Sequence, residues 1–213
     1  MFRTHLIASE TPATTHEMRT PARTFCLSLI FALATSSTLV AQTESPQPQK
    51  DLQQSCLAFV QAFYDWYIPP WLTRNLESTA TLERWDKSRD PLKFKAQLFS
   101  PELVRRLKED YAAQAKVEGD IVGIDFNPYI GGNAGPLGRY VVGKVTRKGD
   151  RYRVNVYCIA SGKKDKEPSV EAELVFKEDR WLFVNFRYAE GKEGDDLMSI
   201  LKLLREQRQK NPN

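Results

Sequence analysis

Asp125, Asn127 and Tyr129 stand at alternate positions of IDFNPYIGGNAGPLG, a segment that runs into four glycines. Oxygen-bearing side chains at alternate positions before a glycine turn are what a calcium loop uses. Here Ile130 occupies the place of the required glycine, and Pro136 that of the bidentate glutamate. The spacing therefore argues against calcium. The loop also lacks the Gly-Lys-Ser/Thr ending of a phosphate loop and the Gly-x-Gly-x-x-Gly spacing of a dinucleotide site. What remains is a tight loop in which Asp125 and Asn127 bond backbone amides. Asp125 also offers a proton-transfer base if burial raises its pKa toward neutrality.

Two other groups of residues are chemically notable. Asn185 and Arg187 interrupt the apolar run WLFVNFRY. Strict alternation puts them on one face with Trp181 and Phe183, and Arg187 then needs a carboxylate, with Asp125, Glu171 and Glu173 in reach of the pattern. They make either a structural ion pair or solvated edge, or a polar floor to an aromatic pocket. Trp66 and Trp71, beside Tyr64 and Tyr67, form an aromatic cluster that serves packing, a pocket or a partner surface. No serine sits in a glycine-flanked elbow, and no acid/base carboxylate couple stands out. None of these motifs implies a cofactor.

The elements that must position these residues follow from periodicity. Residues 42–50, QTESPQPQK, read as a flexible lead-in. Leu52, Cys56, Phe59, Phe63 and Tyr67 then recur at helical spacing until Pro69-Pro70 stops the helix. Residues 73–95 are polar, with Trp85 alone among charges, and read as a loop or short helix. Ser100-Pro101-Glu102 starts a helix with Leu103, Leu107 and Tyr111 on one side. The pattern next alternates: a strand over 121–126, a hairpin of 140–146 and 152–160 about Gly149-Asp150, and a second hairpin of 170–176 and 181–188. The first hairpin would turn Val141, Gly143, Val145, Val154, Val156 and Cys158 to one face, and the doubly apolar last strand would be central in the sheet. A final helix carries Leu197, Ile200, Leu201 and Leu204, with a charged, fraying tail over 206–213. Residues 51–205 thus predict one α+β domain, an antiparallel sheet of four to five strands with helices on one face and a C-terminal helix.

The N-terminus decides which chemistry can act where. Met18-Arg19-Thr20-Pro21-Ala22-Arg23 is a basic start, Phe25 to Ala34 an apolar run, and Ala41 a small residue at the cut of a secretion signal spanning residues 1–41. The true start is then Met18, and the mature chain works in the periplasm or outside the cell. The apolar run is shorter than the roughly 20 residues that span a bilayer. Cleavage removes three arginines and two glutamates, taking the formal net charge from +4 to +3. A balance that mild does not suit nucleic acid. Cleavage also removes His5 and His16, the only histidines. Histidine bases and histidine metal sites are therefore excluded for the mature chain. Cys56 and Cys158 remain, as a disulfide or as two buried thiols.

The segments FYDWYI, LFSPEL, IVGIDFNPY, YVVGKV and WLFVNFRY, followed by DDLMSILKLL, resemble the YbjP/YqhG-like family of exported bacterial proteins, whose domain has no assigned function. The resemblance covers most of residues 55–205. It implies a cystatin-like or nuclear-transport-factor-like cone, a curved antiparallel sheet wrapped on a helix. In that family the position of Asn127 is often acidic and that of Arg187 often histidine. This chain departs at both, so if those positions bind a ligand in relatives, the departure puts that ligand in doubt here. Cones of this kind host enzymes, binding modules and immunity proteins, and fold alone does not choose among them. Three expectations follow. The first is a non-catalytic module that binds a small ligand or protein partner near Trp66, Trp71 and the Asn185/Arg187 face. The others are a proton-transfer enzyme using Asp125 and an immunity protein against a secreted toxin.

Overall fold

The computed structural model describes residues 47–132, 135–188 and 195–210. Residues 1–41, expected to be a secretion signal, and residues 42–46 of the expected lead-in lie outside the described residues.

Helix α1 (Gln47–Tyr67) starts four residues before Asp51 and ends where Pro69-Pro70 removes two backbone donors. Its buried side is Cys56, Val60, Phe63, Tyr64 and Tyr67. Leu52 and Phe59 flank that stripe, partly covered. Phe63 is the hub, with its ring 5.0–6.1 Å from those of Tyr64, Trp66, Tyr67, Phe99, Tyr129 and Phe183. Truncating such a residue to alanine costs about 3–5 kcal/mol.

Three short helices cross the polar stretch: α2 (Pro70–Thr73), α3 (Thr79–Ser88) and α4 (Pro91–Phe94). The Ser78 hydroxyl caps α3 by accepting from Thr81 N, and Asp90 caps α4 by accepting from Leu92 N and Lys93 N. Ser100 caps α5 (Pro101–Gln114) in the same way.

The sheet is antiparallel, with β1 (Arg139–Lys148), β2 (Arg151–Ala160), β3 (Lys163–Lys164), β4 (Val170–Lys177) and β5 (Arg180–Tyr188). The order is β1-β2-β4-β5, with β3 beside β2. Helix α1 lies across β1 and β2, and α6 (Leu197–Lys210) packs on α5 and β5. The α+β class and the antiparallel sheet with a C-terminal helix are as the sequence indicated. No helix among the described residues is long and apolar enough to cross a membrane.

Several local expectations are corrected. β5 is an edge strand, not a central one. It is buried because other chain segments cover its free edge: Ser100 N donates to Phe183 O at 2.8 Å, and Tyr188 N to Asp195 O at 3.1 Å. Residues 121–126 form no strand. Side chains satisfy that backbone instead. Gln114 Oε1 accepts from Val122 N and Gly123 N, and Asp110 Oδ2 accepts from Ile124 N at 2.8 Å. A Cβ at Gly123 would sit 2.8 Å from Asp110 Oδ2, so only glycine lets the carboxylate so close.

Bulges correct both facing assignments in part: Val145, Val154, Val156 and Cys158 face the core as expected, while Val141 and Gly143 do not. Val142 pairs with Val156 and Val145 with Val154, which leaves Gly143 and Lys144 opposite Asn155 alone. Tyr140, Val142 and Val145 therefore pack on the core instead of Val141 and Gly143. In β5, Leu174 pairs with Phe183 and Glu173 with Asn185, so Val184 is the extra residue. Phe183 and Phe186 both reach the core, stacked at 5.3 Å. Asn185 and Arg187 consequently face away from Phe183. The segment from Glu206, expected as a tail, continues α6 to Lys210.

Candidate functional site

The sequence-derived site residues separate into three places. Asn185 and Arg187 anchor the start of α6. Asn185 Nδ2 donates to Asp196 Oδ1 at 2.8 Å, and Asn185 Oδ1 accepts from Met198 N. Asp196 also accepts from Ser199 N and from the Ser199 hydroxyl. The carboxylate facing Arg187 is Asp196, at 3.7 Å, rather than Asp125, Glu171 or Glu173. Glu173 is buried beside Arg151 and Arg153. Burial pushes the Asp196 pKa up, but the Asn185 and Ser199 hydrogen bonds and the Arg187 charge outweigh it and leave the value lowered. The polar groups here are matched to one another, so this face holds a helix.

Cys56 and Cys158 are both buried free thiols. Tyr140 pairs with Cys158 across β1 and β2 and stacks on Tyr64. Cys56 lies eight residues before Tyr64 on α1, a rise of about 12 Å. A disulfide needs Cα atoms within about 7 Å.

Trp66 and Trp71 are partly buried, and cations already occupy their faces. Arg84 lies 4.8 Å from the Trp71 ring, Lys95 5.4 Å from Trp66, and Arg89 stands 5.6 Å and 6.0 Å from Trp66 and Trp71. The two indoles hold Arg89 in place, and each such contact is worth about 0.5–1 kcal/mol at an exposed site.

Arg89 leads to the third place. A pocket of about 340 Å³ opens between the end of α1, α3, the α3–α4 junction, α5 and the loop after Asp125. Its aromatic wall is Tyr67, Trp85, Tyr111, Phe126 and Tyr129, and its charged residues are Asp86, Arg89 and Asp90. Of the expected site residues, Asn127 and Tyr129 line it; Trp66 and Trp71 touch it through Arg89; Asp125 is exposed and outside it. A base at Asp125 thus lacks the burial it would require.

The wall is locked by hydrogen bonds. Asn127 Nδ2 donates to the Tyr67 hydroxyl at 2.7 Å, while Asn127 Oδ1 accepts from Tyr129 N at 3.1 Å. Trp85 Nε1 donates to Tyr67 O at 2.6 Å. Tyr64 and Tyr188 donate their hydroxyls to the carbonyls of Tyr129 and Pro128, at 2.6 Å and 3.1 Å. Two polar atoms make no hydrogen bond of ordinary geometry: Arg89 Nε, and Tyr129 Oη, which has the Tyr111 phenol beside it. Burial raises the phenols of Tyr67 and Tyr129 far above the usual range, against the opposing Asn127 bond at Tyr67. Both stay protonated near neutrality, fit to donate and accept hydrogen bonds but not to shuttle protons.

Tyr67, Trp85, Arg89, Tyr111 and the two aspartates were not singled out from sequence as pocket residues. The available signal was Trp85, the one tryptophan in a polar, charged stretch, one helical turn before Arg89. A wider groove of about 1240 Å³ runs between residues 73–78 and 135–139. It is larger but open, and neither of those two polar atoms of the smaller pocket lines it.

Compared with protein-family models, curated proteins and solved structures, the chain finds no match.

Proposed function

We propose that this chain is an exported, non-catalytic binding protein that takes a small organic ligand in the pocket between α1, α3, α5 and loop 126–129. The observation that supports the reading most is Tyr129 Oη, the hydroxyl of a 98% buried residue on an aromatic wall, which has the Tyr111 phenol beside it but no well-formed hydrogen bond. Leaving such a group unpaired costs about 1–3 kcal/mol. A ligand that bonds it recovers that cost. The pocket volume lies in the range of small-molecule sites, about 300–1,000 Å³. The protonated phenols favour binding over acid–base catalysis. The export signal and the resemblance to an exported family agree on the compartment.

The test is a screen of small aromatic fragments against the mature chain by ligand-observed NMR, repeated with Tyr129→Phe. Saturable hits that weaken roughly fivefold in Tyr129→Phe are the expected result. Absence of any saturable hit, or equal binding by the variant, would overturn it. Export is checked separately: mature protein beginning near Gln42 belongs in a periplasmic extract.

A further inference from the structure

The charge of the pocket narrows its ligand, given the binding role proposed above. Asp86 and Asp90 line it against a single cation, Arg89. Among the described residues neither aspartate enters an ion pair. Asp90 spends one oxygen, Oδ1, on the α4 amides. The negative charge of Asp90 is felt at the phenols of Tyr111 and Tyr129, and that of Asp86 at the phenol of Tyr67. Both carboxylates are exposed and line the same pocket as those phenols. Arg89 also lines the pocket, but its charge is engaged by its neighbours. Its guanidinium lies over Trp66 and Trp71, and Nη1 donates to Ser88 O at 3.1 Å.

Aromatic rings carry electron-rich faces that attract cations, and the attraction grows when the site is desolvated. Five aromatic side chains with two flanking carboxylates, and a phenol oxygen at Tyr129 that lacks a well-formed hydrogen bond, are complementary to an ammonium group. The phenol oxygen accepts from the N–H, the rings cover the carbon body, and the carboxylates balance the charge. We infer that the pocket is a site for a small organic cation, an amine with an aromatic or aliphatic body.

Three probes share a phenyl body and differ in charge: phenethylammonium, phenethyl alcohol and phenylacetate. Each is titrated into the mature chain by calorimetry, at low and high salt. Phenethylammonium is expected to bind roughly tenfold tighter than the alcohol, with phenylacetate weakest. In Asp86→Asn/Asp90→Asn that advantage falls to about threefold or less, while the alcohol binds as before. Asparagine still caps α4, so the double variant keeps its fold. If phenylacetate binds tightest, or the advantage survives the double substitution, the cation assignment fails and the binding role stands. If no probe binds, both fail.

Discussion

The Arg208 guanidinium donates to the buried Asp110 carboxylate at 2.6 Å and to Val122 O at 2.7 Å. One side chain near the C-terminus thus ties α6 to α5 and to the irregular segment 121–124. Asp110 is 1% exposed and also accepts from Ile124 N. Arg208→Ala leaves that charge buried and unpaired, with an expected loss of about 3–5 kcal/mol. Adding Asp110→Asn should recover part of it. Urea unfolding of the two variants checks both.

Tyr67→Phe and Tyr129→Phe remove chemically identical hydroxyls with opposite expected outcomes. At Tyr67 the change strands Asn127 Nδ2, and should cost about 1 kcal/mol or more. At Tyr129 the hydroxyl has only the Tyr111 phenol beside it, with no well-formed hydrogen bond to lose. Its removal should leave stability unchanged or raise it by about 1 kcal/mol. Thermal unfolding of both in the absence of ligand gives the comparison, and equal losses would contradict it.

Asp196 predicts an acid-sensitive helix start. Its folded pKa lies below the ordinary aspartate value of 3.8. The charge therefore stabilises fully above that ordinary value, and its contribution is lost as pH falls through the lower folded one. Asp196→Asn should be less stable than wild type near neutrality, with the gap closing toward about pH 2. Urea midpoints across that range are the measurement. A gap independent of pH would show that the charge does not act.

The two thiols should be silent in the native state. Burial pushes the Cys56 thiol up to about 12. It raises Cys158 as well, helped by Asp165 and opposed by a hydrogen bond with Tyr140. A thiol reagent should find no reactive group in folded residues 42–213 and two after denaturation without reductant. A disulfide would give none in either case.

Gly131→Ala tests the loop that forms the pocket wall. Gly131 has φ +71°, and a Cβ there would lie 2.6 Å from Ser169 O. Backbone strain and the clash together should cost about 2 kcal/mol or more. Ligand binding should weaken with stability, because Gly131 N bonds the Asn127 carbonyl.

Local grammar was readable in the sequence. The α1 stripe, the Ser100-Pro101 helix start and both hairpins follow from spacing and caps, which act over a few residues. Register was not readable. Val184 and the Gly143-Lys144 pair each add a residue to a strand, and nothing in their side chains announces it. Everything beyond them changes face, which is why Arg187 meets Asp196 instead of sharing a surface with Phe183. Segment 121–126 alternates like a strand, yet Gln114 and Asp110 supply its hydrogen bonds from a helix. The pocket was legible only in part. Asn127 and Tyr129 sit on a conspicuous loop, while Trp85, Arg89 and Tyr111 come together from α3, its junction with α4, and α5, a meeting that only tertiary packing arranges.

The phenols of Tyr64 and Tyr188 grip loop 126–132 by two main-chain carbonyls, from outside the loop itself. Carbonyls are common to every residue type. The loop's path is therefore held from α1 and β5 at those two carbonyls, and from within by Asn127 and Gly131. Such a segment has fixed anchor points: mutations between them can retune what the pocket admits, and the scaffold that presents it need not change.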